Sequence, residues 1–461
     1  MSSPSPSDAQ RPTEQHGAHT LRAAADGPPR PLTGVRIIDL GGIGPGPFAS
    51  MVLADLGAEL IRVHRPQEAA QGTTGTGMSP VNPVLDRGKR SVVLDLKSAQ
   101  GVAAARRLVA TADAVIEGFR PGVAERMGLG PADLMGENPQ LVYGRITGWG
   151  QTGPDSHRAG HDMNYIAGSG VLSQLGRAGE APQFPTNLVA DFGGGGMQLA
   201  LGIVAALLRA KTGGPGAVVD ATMGDGANLL WSMQFGMEAQ GVWKEGRGTN
   251  MLDSGAPFYD VYRTSDDQYV SVGCIEPQFY AEFVEKLGLA DALGGLQPGH
   301  HLKRENWDLQ RTVYTEAIAS RTQAEIDELF AGSDACTIGI RSFEQAEADP
   351  HNTARELFFR DEAGIRHPAP APRFADLGGA TWAGGQQTAA EVGAGSAGSA
   401  PAAGAAEGPA SGSATAVRGG GEPYVQPGAA PQVGADTDEL LASAGLSADE
   451  ITALREAGAA V

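Results

Sequence analysis

From residue 34 the chain alternates short apolar runs with longer stretches whose apolar positions recur at helical spacing. "GVRIIDL" (34–40) predicts a strand, and the glycine loop "GGIGPGP" leads from it into the helical pattern of "FASMVLADLG". "AELIRVHRP" reads as a second strand. Strand "SVVLDL" (91–96), helix "SAQGVAAARRLVATA", strand "DAVIEGF" (113–119), a short helix and then "LVYGRITGWG" (141–150) continue the series. Strands alternating with helices at this spacing predict βαβ units, hence an α/β fold with a mostly parallel, Rossmann-like sheet in a large domain over 31–225.

The pattern then changes. "GGGGMQLALGIVAALLRAKTG" (193–213) predicts a buried helix, with glycines at its start for close packing, and "GDGANLLWSMQFGMEAQGVW" predicts a second. Residues 226–255 join the large domain to "PFYDVYRTSDDQYVSVGCI", which reads as two strands with a polar turn at "TSDDQ". Helices "PQFYAEFVEKLGL" and "TQAEIDELFAGS" complete a smaller α+β domain over 256–350, and 351–382 returns to the large domain. Residues 383–435 are rich in Ala, Gly, Ser and Pro, and this predicts a flexible linker. In the final segment, 436–461, Ser447 stands as an N-cap with Glu450 three residues on, a capping box. That segment is expected to fold and pack back on the main body.

Composition narrows the function. The chain has 461 residues, 41% of them apolar, and a formal net charge of -19. That charge argues against nucleic-acid binding, which depends on neutralising phosphates. It leaves room for a small anion held by a local cation cluster. Two cysteines, Cys274 and Cys336, offer no disulfide framework and no cysteine zinc site, and no metal is expected. Residues 1–30 form a polar leader expected to be disordered, with no apolar core of a signal peptide. No run is expected to reach the about 20 apolar residues of a membrane span. The expected setting is the cytoplasm, without membrane association.

The glycine loop after the first strand invites a dinucleotide reading. The fingerprint requires G-x-G-x-x-G and an acidic residue at the end of the second strand. Here proline displaces the third glycine, and the second strand ends at "RVHRP" with Arg62 and Arg65. A basic ending suits a phosphorylated nucleotide with a pyrophosphate, such as coenzyme A, better than NAD. Further cations lie in "DRGKRSVVLDLK" (Arg87, Lys89, Arg90, Lys97) and "EGFRPG" (Arg120). At least half of these are expected on a solvated face. Arg65 and Arg120 each precede a proline at a predicted strand end, where open α/β sheets bind ligands. "AGHDMNY" (159–165) places His161 beside Asp162 after a glycine, a pattern open to a solvated turn, a metal half-site or acid/base chemistry.

Seven stretches taken together resemble the family III CoA-transferase superfamily, also known as the CaiB/BaiF type, and within it the α-methylacyl-CoA racemases. They are "PLTGVRIIDLGGIGPGPFASMVLADLGAELIRVHRP", "RGKRSVVLDLK", "ITGWGQTGP", "AGHDMNY", "NLVADFGGGG", "NMLDSGAPFYDVYRT" and "IEPQFY". They run in the family's order from Pro31 to Pro372, and the match resumes at "DTDELL". The resemblance implies two domains joined by helical linkers, in an interlocked homodimer whose active sites lie between one subunit's large domain and the other's small domain. It implies no cofactor, since coenzyme A is part of the acyl-CoA substrate. His161 and Asp191 would be the two proton-transfer bases, and Glu276 would pair with the histidine. Substrate contacts would fall on Arg65, on Leu94, Asp95, Leu96 and Lys97, and on Gly160, Asp162, Met163, Asn164 and Tyr165, with Arg120 a further CoA contact. One departure is "DACTIGIRSFEQA", where the racemases more usually carry Cys-Val-Thr-Pro-Val.

The implied chemistry makes sense of the residue types. Inverting a carbon next to a thioester removes its α-proton on one face and returns one on the other, so two bases on opposite sides serve it. Histidine titrates near neutral pH, while an aspartate must be raised by burial or a neighbour to act as acid in turn. The glycine-rich helix start after Asp191 is a candidate for stabilising the enolate oxygen, or else a close-packing device. Met233 and Met237, a helical turn apart, suit an adaptable acyl wall or a core. A CoA-transferase would instead use Asp191 as nucleophile and need neither His161 nor Glu276. A catalytically silent acyl-CoA-binding relative would need none of the three.

Overall fold

The computed structural model describes residues 30–71, 79–244, 246–374 and 426–461. The leader expected over 1–30 lies outside them except for Arg30, and so does most of the linker expected over 383–435. Six strands form a parallel sheet in the order β3-β2-β1-β4-β5-β6. They are β1 (Arg36–Asp39), β2 (Glu59–His64), β3 (Arg90–Val93), β4 (Ala114–Glu117), β5 (Val142–Thr147) and β6 (Val218–Thr222). The first five follow the apolar runs. β6 was not foreseen, because it is an edge strand whose outer positions Val218 and Asp220 face solvent and blur the apolar pattern.

Neighbouring residues of each inner strand feed opposite cores, as both faces of a parallel sheet must be covered. Ile37, Leu60, Ile116 and Ile146 pack with Leu53, Leu199 and Ile203 on one face. Ile38, Ile61, Val115 and Tyr143 pack with Leu108, Leu440 and Leu441 on the other. The strand order reverses between β1 and β4, and the loops beyond their carboxyl ends form the crevice where such sheets bind ligands.

A three-stranded antiparallel sheet, β7 (Asp260–Arg263), β8 (Tyr269–Val272) and β9 (Thr337–Gly339), carries a third core. Phe258, Tyr262, Phe283, Tyr314 and Ile326 build it from the strands and from helices Pro277–Leu287, Trp307–Ala319 and Gln323–Phe330. A hairpin, β10 (Phe358–Arg360) with β11 (Arg366–Pro368), ties to the large sheet's helices. Its Pro368 carbonyl accepts from Arg87 Nη1 at 2.8 Å while Arg87 pairs with Asp55 at 2.6 Å.

The helical run Leu188–Lys211 spans 24 residues and is long and apolar enough to cross a membrane, contrary to the expectation that no segment would qualify. Its fold context differs from a span. Leu199, Ile203, Ala206 and Leu207 pack against the large sheet, although Leu201 and Leu208 remain 63% and 67% exposed.

The C-terminal segment covers β3, which would otherwise present an unpaired edge. Asp436 accepts from the Ser91 N–H at 2.9 Å and from Arg90 Nε at 3.1 Å, and Thr437 Oγ1 accepts from the Val93 N–H at 3.1 Å. Asp95 N–H donates to the Ala459 carbonyl at 2.9 Å. The capping box is formed, with Ser447 Oγ accepting from Glu450 N–H and Glu450 Oε2 accepting from Ser447 N–H. Replacing Asp436 with alanine leaves the Ser91 N–H and the Arg90 guanidinium short of a partner, so urea unfolding is expected to show a loss of about 1–3 kcal/mol. Asp436→Asn, which keeps one acceptor oxygen, is expected to lose less; equal stability of all three proteins would show that the clasp contributes nothing.

Candidate active site

The loop after β5 turns back through two glycines against one aromatic ring. A methyl group at Gly148 would stand 2.0 Å from Tyr165 Cε1, and one at Gly160 would stand 2.7 Å from it, so neither position accepts a side chain. The Tyr165 hydroxyl donates to the Gly160 carbonyl, and its ring meets Trp149 edge-on at 5.1 Å. This packing presents His161 at the start of helix Asp162–Gly168, with its backbone N–H donating to Asn164 Oδ1 at 3.1 Å. The imidazole is exposed.

Asp162 turns the other way. It is 3% exposed, and its Oδ2 accepts from the backbone N–H groups of Ala190 at 2.7 Å and Asp191 at 2.8 Å. Those groups lie in the first turn of a π-helix, Leu188–Met197, where orphan donors need an acceptor and a carboxylate is favoured. The contact couples the loop carrying His161 to the helix carrying Asp191.

Expectation and structure part at this point. The helix starts at Leu188, so the glycines that follow Asp191 are interior, and the first-turn N–H groups at 190 and 191 are already taken by Asp162. They are therefore not donors for an enolate oxygen. The glycines serve packing instead: a methyl group at Gly226 would come 1.8 Å from the Gly194 carbonyl, and one at Gly196 would come 2.7 Å from Phe48. Phe192 stacks on Phe48 at 4.5 Å. Backbone against backbone on one side and stacked rings on the other leave Asp191 a fixed direction.

That direction is toward the glycine loop. A methyl group at Gly44 would stand 3.3 Å from Asp191 Oδ2, and Asn187 Nδ2 donates to the same oxygen at 3.4 Å. Burial raises the Asp191 pKa above the ordinary aspartate range. The Asn187 hydrogen bond opposes the shift, the Asp162 charge adds to it, and the His161 charge again opposes it. Burial also raises the Tyr165 pKa, with the Asp191 charge adding to the shift and Arg120, exposed beyond β4, opposing it. Asp191, His161, Asp162, Tyr165 and Arg120 therefore share one end of the large sheet.

Among the described residues, no hydrogen bond or ion pair joins Glu276 to them within the chain. It is the exposed N-cap of helix Pro277–Leu287 beside the three-stranded sheet, and its charge acts on Cys274 and Cys336. Met163 and Asn164 are exposed on the His161 helix. Met233 and Met237 lie on helix Ser232–Ala239, which buries no residue, so they are not core.

The expected CoA contacts divide. Leu94 is fully buried and bridges to Ala460, and Asp95 Oδ1 accepts from the Lys97 N–H at 3.0 Å, so these two shape the turn. Leu96 and Lys97 line a recess of about 690 Å³ together with Ala99, Val102, Arg106, Arg126 and Met127. Sequence reasoning missed Arg106 and Arg126, which stand on separate helices and meet Lys97 only through the fold. The recess lining does not include His161 or Asp191. Arg65 is exposed and pairs with Glu68 at 2.7 Å. Burial works against Glu68 ionising, yet the His64 ring 3.4 Å away and hydrogen bonds from the Arg65 N–H and side chain hold its pKa at about 2.

Three other cations are not on a solvated face. Arg62 turns inward to Asp39 Oδ2 and the Gly42 carbonyl, both at 2.9 Å. Arg87 and Lys89 are buried in pairs with Asp55 and Asp86. Asp39 reaches Arg62 from β1 and Asp55 reaches Arg87 from helix Pro45–Asp55, whereas Asp86 lies three residues before Lys89 in the same charge run.

With this geometry in place, comparison with known proteins identifies the family. The family model described as CoA-transferase family III matches residues 32–388. The chain belongs to that family. It is 45% identical over 341 residues to the α-methylacyl-CoA racemase of Mus musculus and 43% identical over 342 residues to that of Homo sapiens, covering 74% of this chain and 86% of each relative. The crystal structure of a CaiB/BaiF family protein from Brucella suis superposes with a TM-score of 0.64 at 27% identity, over 76% of this chain and 94% of that one.

A raised aspartate pKa carries a stability sign. A carboxyl that holds its proton more tightly folded than unfolded contributes stability at low pH and loses it as pH rises through the folded pKa. Asp191→Asn removes that loss. The variant is expected to melt at a higher temperature than the natural protein at pH 7, with the gap closing as pH falls below the ordinary aspartate value of 3.8. A gap that stays constant with pH would mean that Asp191 is not destabilised by its site.

Proposed function

We propose that the protein is an α-methylacyl-CoA racemase that interconverts (2R)- and (2S)-2-methylacyl-CoA thioesters by proton transfer. The observation that carries this reading is the Asp162 contact, which sets a raised-pKa aspartate and an exposed histidine at one sheet end. In one direction, one base takes the α-proton, leaving an enolate on the thioester, and the conjugate acid of the other base returns a proton to the opposite face. The reverse direction exchanges the roles. An aspartate whose pKa is raised by burial is a stronger base than an ordinary one, and it holds the proton that it must later return at a pH nearer neutrality. Similarity to the two mammalian racemases supports the same reading.

The CoA moiety would lie with its phosphates near Arg65, Lys97, Arg120 and Arg126 and its nucleotide over the recess beside Leu96. The loop Gly160 to Tyr165 would hold the thioester arm, and Met233 and Met237 would supply an adaptable apolar surface for the acyl chain. Glu276 would orient the His161 imidazole, as a carboxylate does in a triad. Because Glu276 sits apart in its own chain, a second copy would supply it. Leu201 and Leu208, exposed two turns apart on one face of helix Gln198–Lys211, support such an interface, since an apolar strip left in solvent marks a contact surface. Two free cysteines fit a reducing compartment, the cytoplasm in this reading.

In deuterated buffer, a single enantiomer of a 2-methylacyl-CoA is expected to gain deuterium at the α-carbon and lose its stereochemistry. His161→Ala and Asp191→Asn are each expected to slow this by about 100-fold or more. Absence of exchange, with CoA passing to an added free acid in an Asp191-dependent way, would make the protein a CoA-transferase, the activity in the family's description. Sedimentation should give a mass of two chains, lowered by Leu208→Asp; a single-chain mass in an active preparation would overturn the shared site.

A further inference from the structure

His301 is a fully buried histidine that no step above uses. Its Nδ1 accepts from the Gly299 backbone N–H at 3.0 Å, which places the ring proton on Nε2. That Nε2–H donates to the Ile275 carbonyl at 2.8 Å, and Ile275 immediately precedes Glu276. The ring also stacks on Tyr280, with centroids 3.9 Å apart and planes 3° from parallel. Tyr280 lies one helical turn after Glu276, on the helix that Glu276 caps. A single ring therefore holds the chain on both sides of that glutamate.

The ring itself is held from the remaining sides. Phe258 meets it edge-on at 5.0 Å, and the His301 carbonyl accepts from Trp307 Nε1 at 3.2 Å and Gln310 Nε2 at 3.3 Å. Burial lowers the imidazole's pKa, so the neutral tautomer with one donor and one acceptor persists through the neutral range. A fully buried histidine needs partners for both ring nitrogens, and the choice of partner is what carries information. Here both are satisfied, and one of them is spent on the residue before Glu276.

We propose that His301 is a positioning residue, which fixes the direction of Glu276 through the Ile275 carbonyl and the Tyr280 ring. The inference rests on the reading of Glu276 as the partner of His161. A base misdirected by about 1 Å commonly loses two orders of magnitude in rate, so the effect belongs on kcat rather than on KM.

The test measures α-proton exchange in Glu276→Gln, His301→Leu, His301→Gln, His301→Asn and the double variant Glu276→Gln/His301→Leu, each checked for folding by circular dichroism. Glu276→Gln and His301→Leu are each expected to lower kcat by about 10- to 100-fold with KM little changed. The double variant is expected to be no slower than Glu276→Gln alone, because both changes remove one function. Glutamine, long enough to carry an N–H to the Ile275 carbonyl, is expected to restore most of the rate, while the shorter asparagine does not. Should His301→Leu fail to fold, the glutamine and asparagine variants decide the matter. Equal rates for those two, or additive losses in the double variant, would overturn the role of His301 while leaving Glu276 intact. A Glu276→Gln protein as fast as the natural one would overturn the reading of Glu276 and this inference with it.

Discussion

The candidate site depends on one buried carboxylate. Asp162 accepts two backbone N–H groups from the first turn of the helix that carries Asp191, and it is itself the residue next to His161. Hydrogen bonds to a charged acceptor are worth about 1.5–3 kcal/mol each, more than ordinary neutral ones. Their larger effect is geometric, because they lock a loop to a helix that would otherwise meet only through side chains. The same negative charge lies close enough to Asp191 to help raise its pKa. Burial is the larger cause of that shift, and the group that fixes the position adds to it.

The ground beneath the site is made of ion pairs rather than of apolar side chains alone. Arg62 braces the Gly42 carbonyl and Asp39, and Lys89 donates to Pro47, Ser50 and Asp86. Arg62 and Lys89 each have a carboxylate partner, which is the condition under which buried charge is tolerable. The burial of Lys89 lowers its pKa, while Asp39, held by Arg62 and Lys89 against the cost of burial, is lowered as well. The glycine loop can then run close to Asp191 without a side chain in the way. A chain with a net charge of -19 thus spends several of its cations inside, beneath the loop that faces the ligand.

The separation of Glu276 from His161 and Asp191 gives the fold its functional logic. A parallel sheet offers a crevice at its carboxyl ends, and here that crevice holds two candidate bases but not the third carboxylate. The small sheet holds that group on a helix N-terminus fixed by aromatic packing around His301. The two parts keep separate cores, and the pairing of Arg177 with Asp260 on β7 is a contact between them in this chain.

Alternating apolar runs and helical spacing were enough to place five of the six parallel strands, since burial of both faces writes a strong pattern into the chain. The loop "AGHDMNY" was visible as candidate chemistry because it sets a histidine beside an aspartate in an otherwise neutral segment, while "NLVADFGGGG" was legible through the family resemblance. What the sequence could not show were relations between distant positions. That Asp162 caps the helix of Asp191, that Gly194 touches Gly226, and that Arg126 lies beside Lys97 depend on approaches that leave no periodicity. The edge strand β6 escaped because solvent covers its outer residues, and Arg87 was misplaced because its carboxylate partner Asp55 lies 32 residues away, while Lys89 pairs with Asp86 inside its own charge run. Local composition determines which elements form and which side chains can do chemistry. Only the packed fold decides which of those side chains meet, because a contact between remote segments is fixed by the whole core and not by either segment.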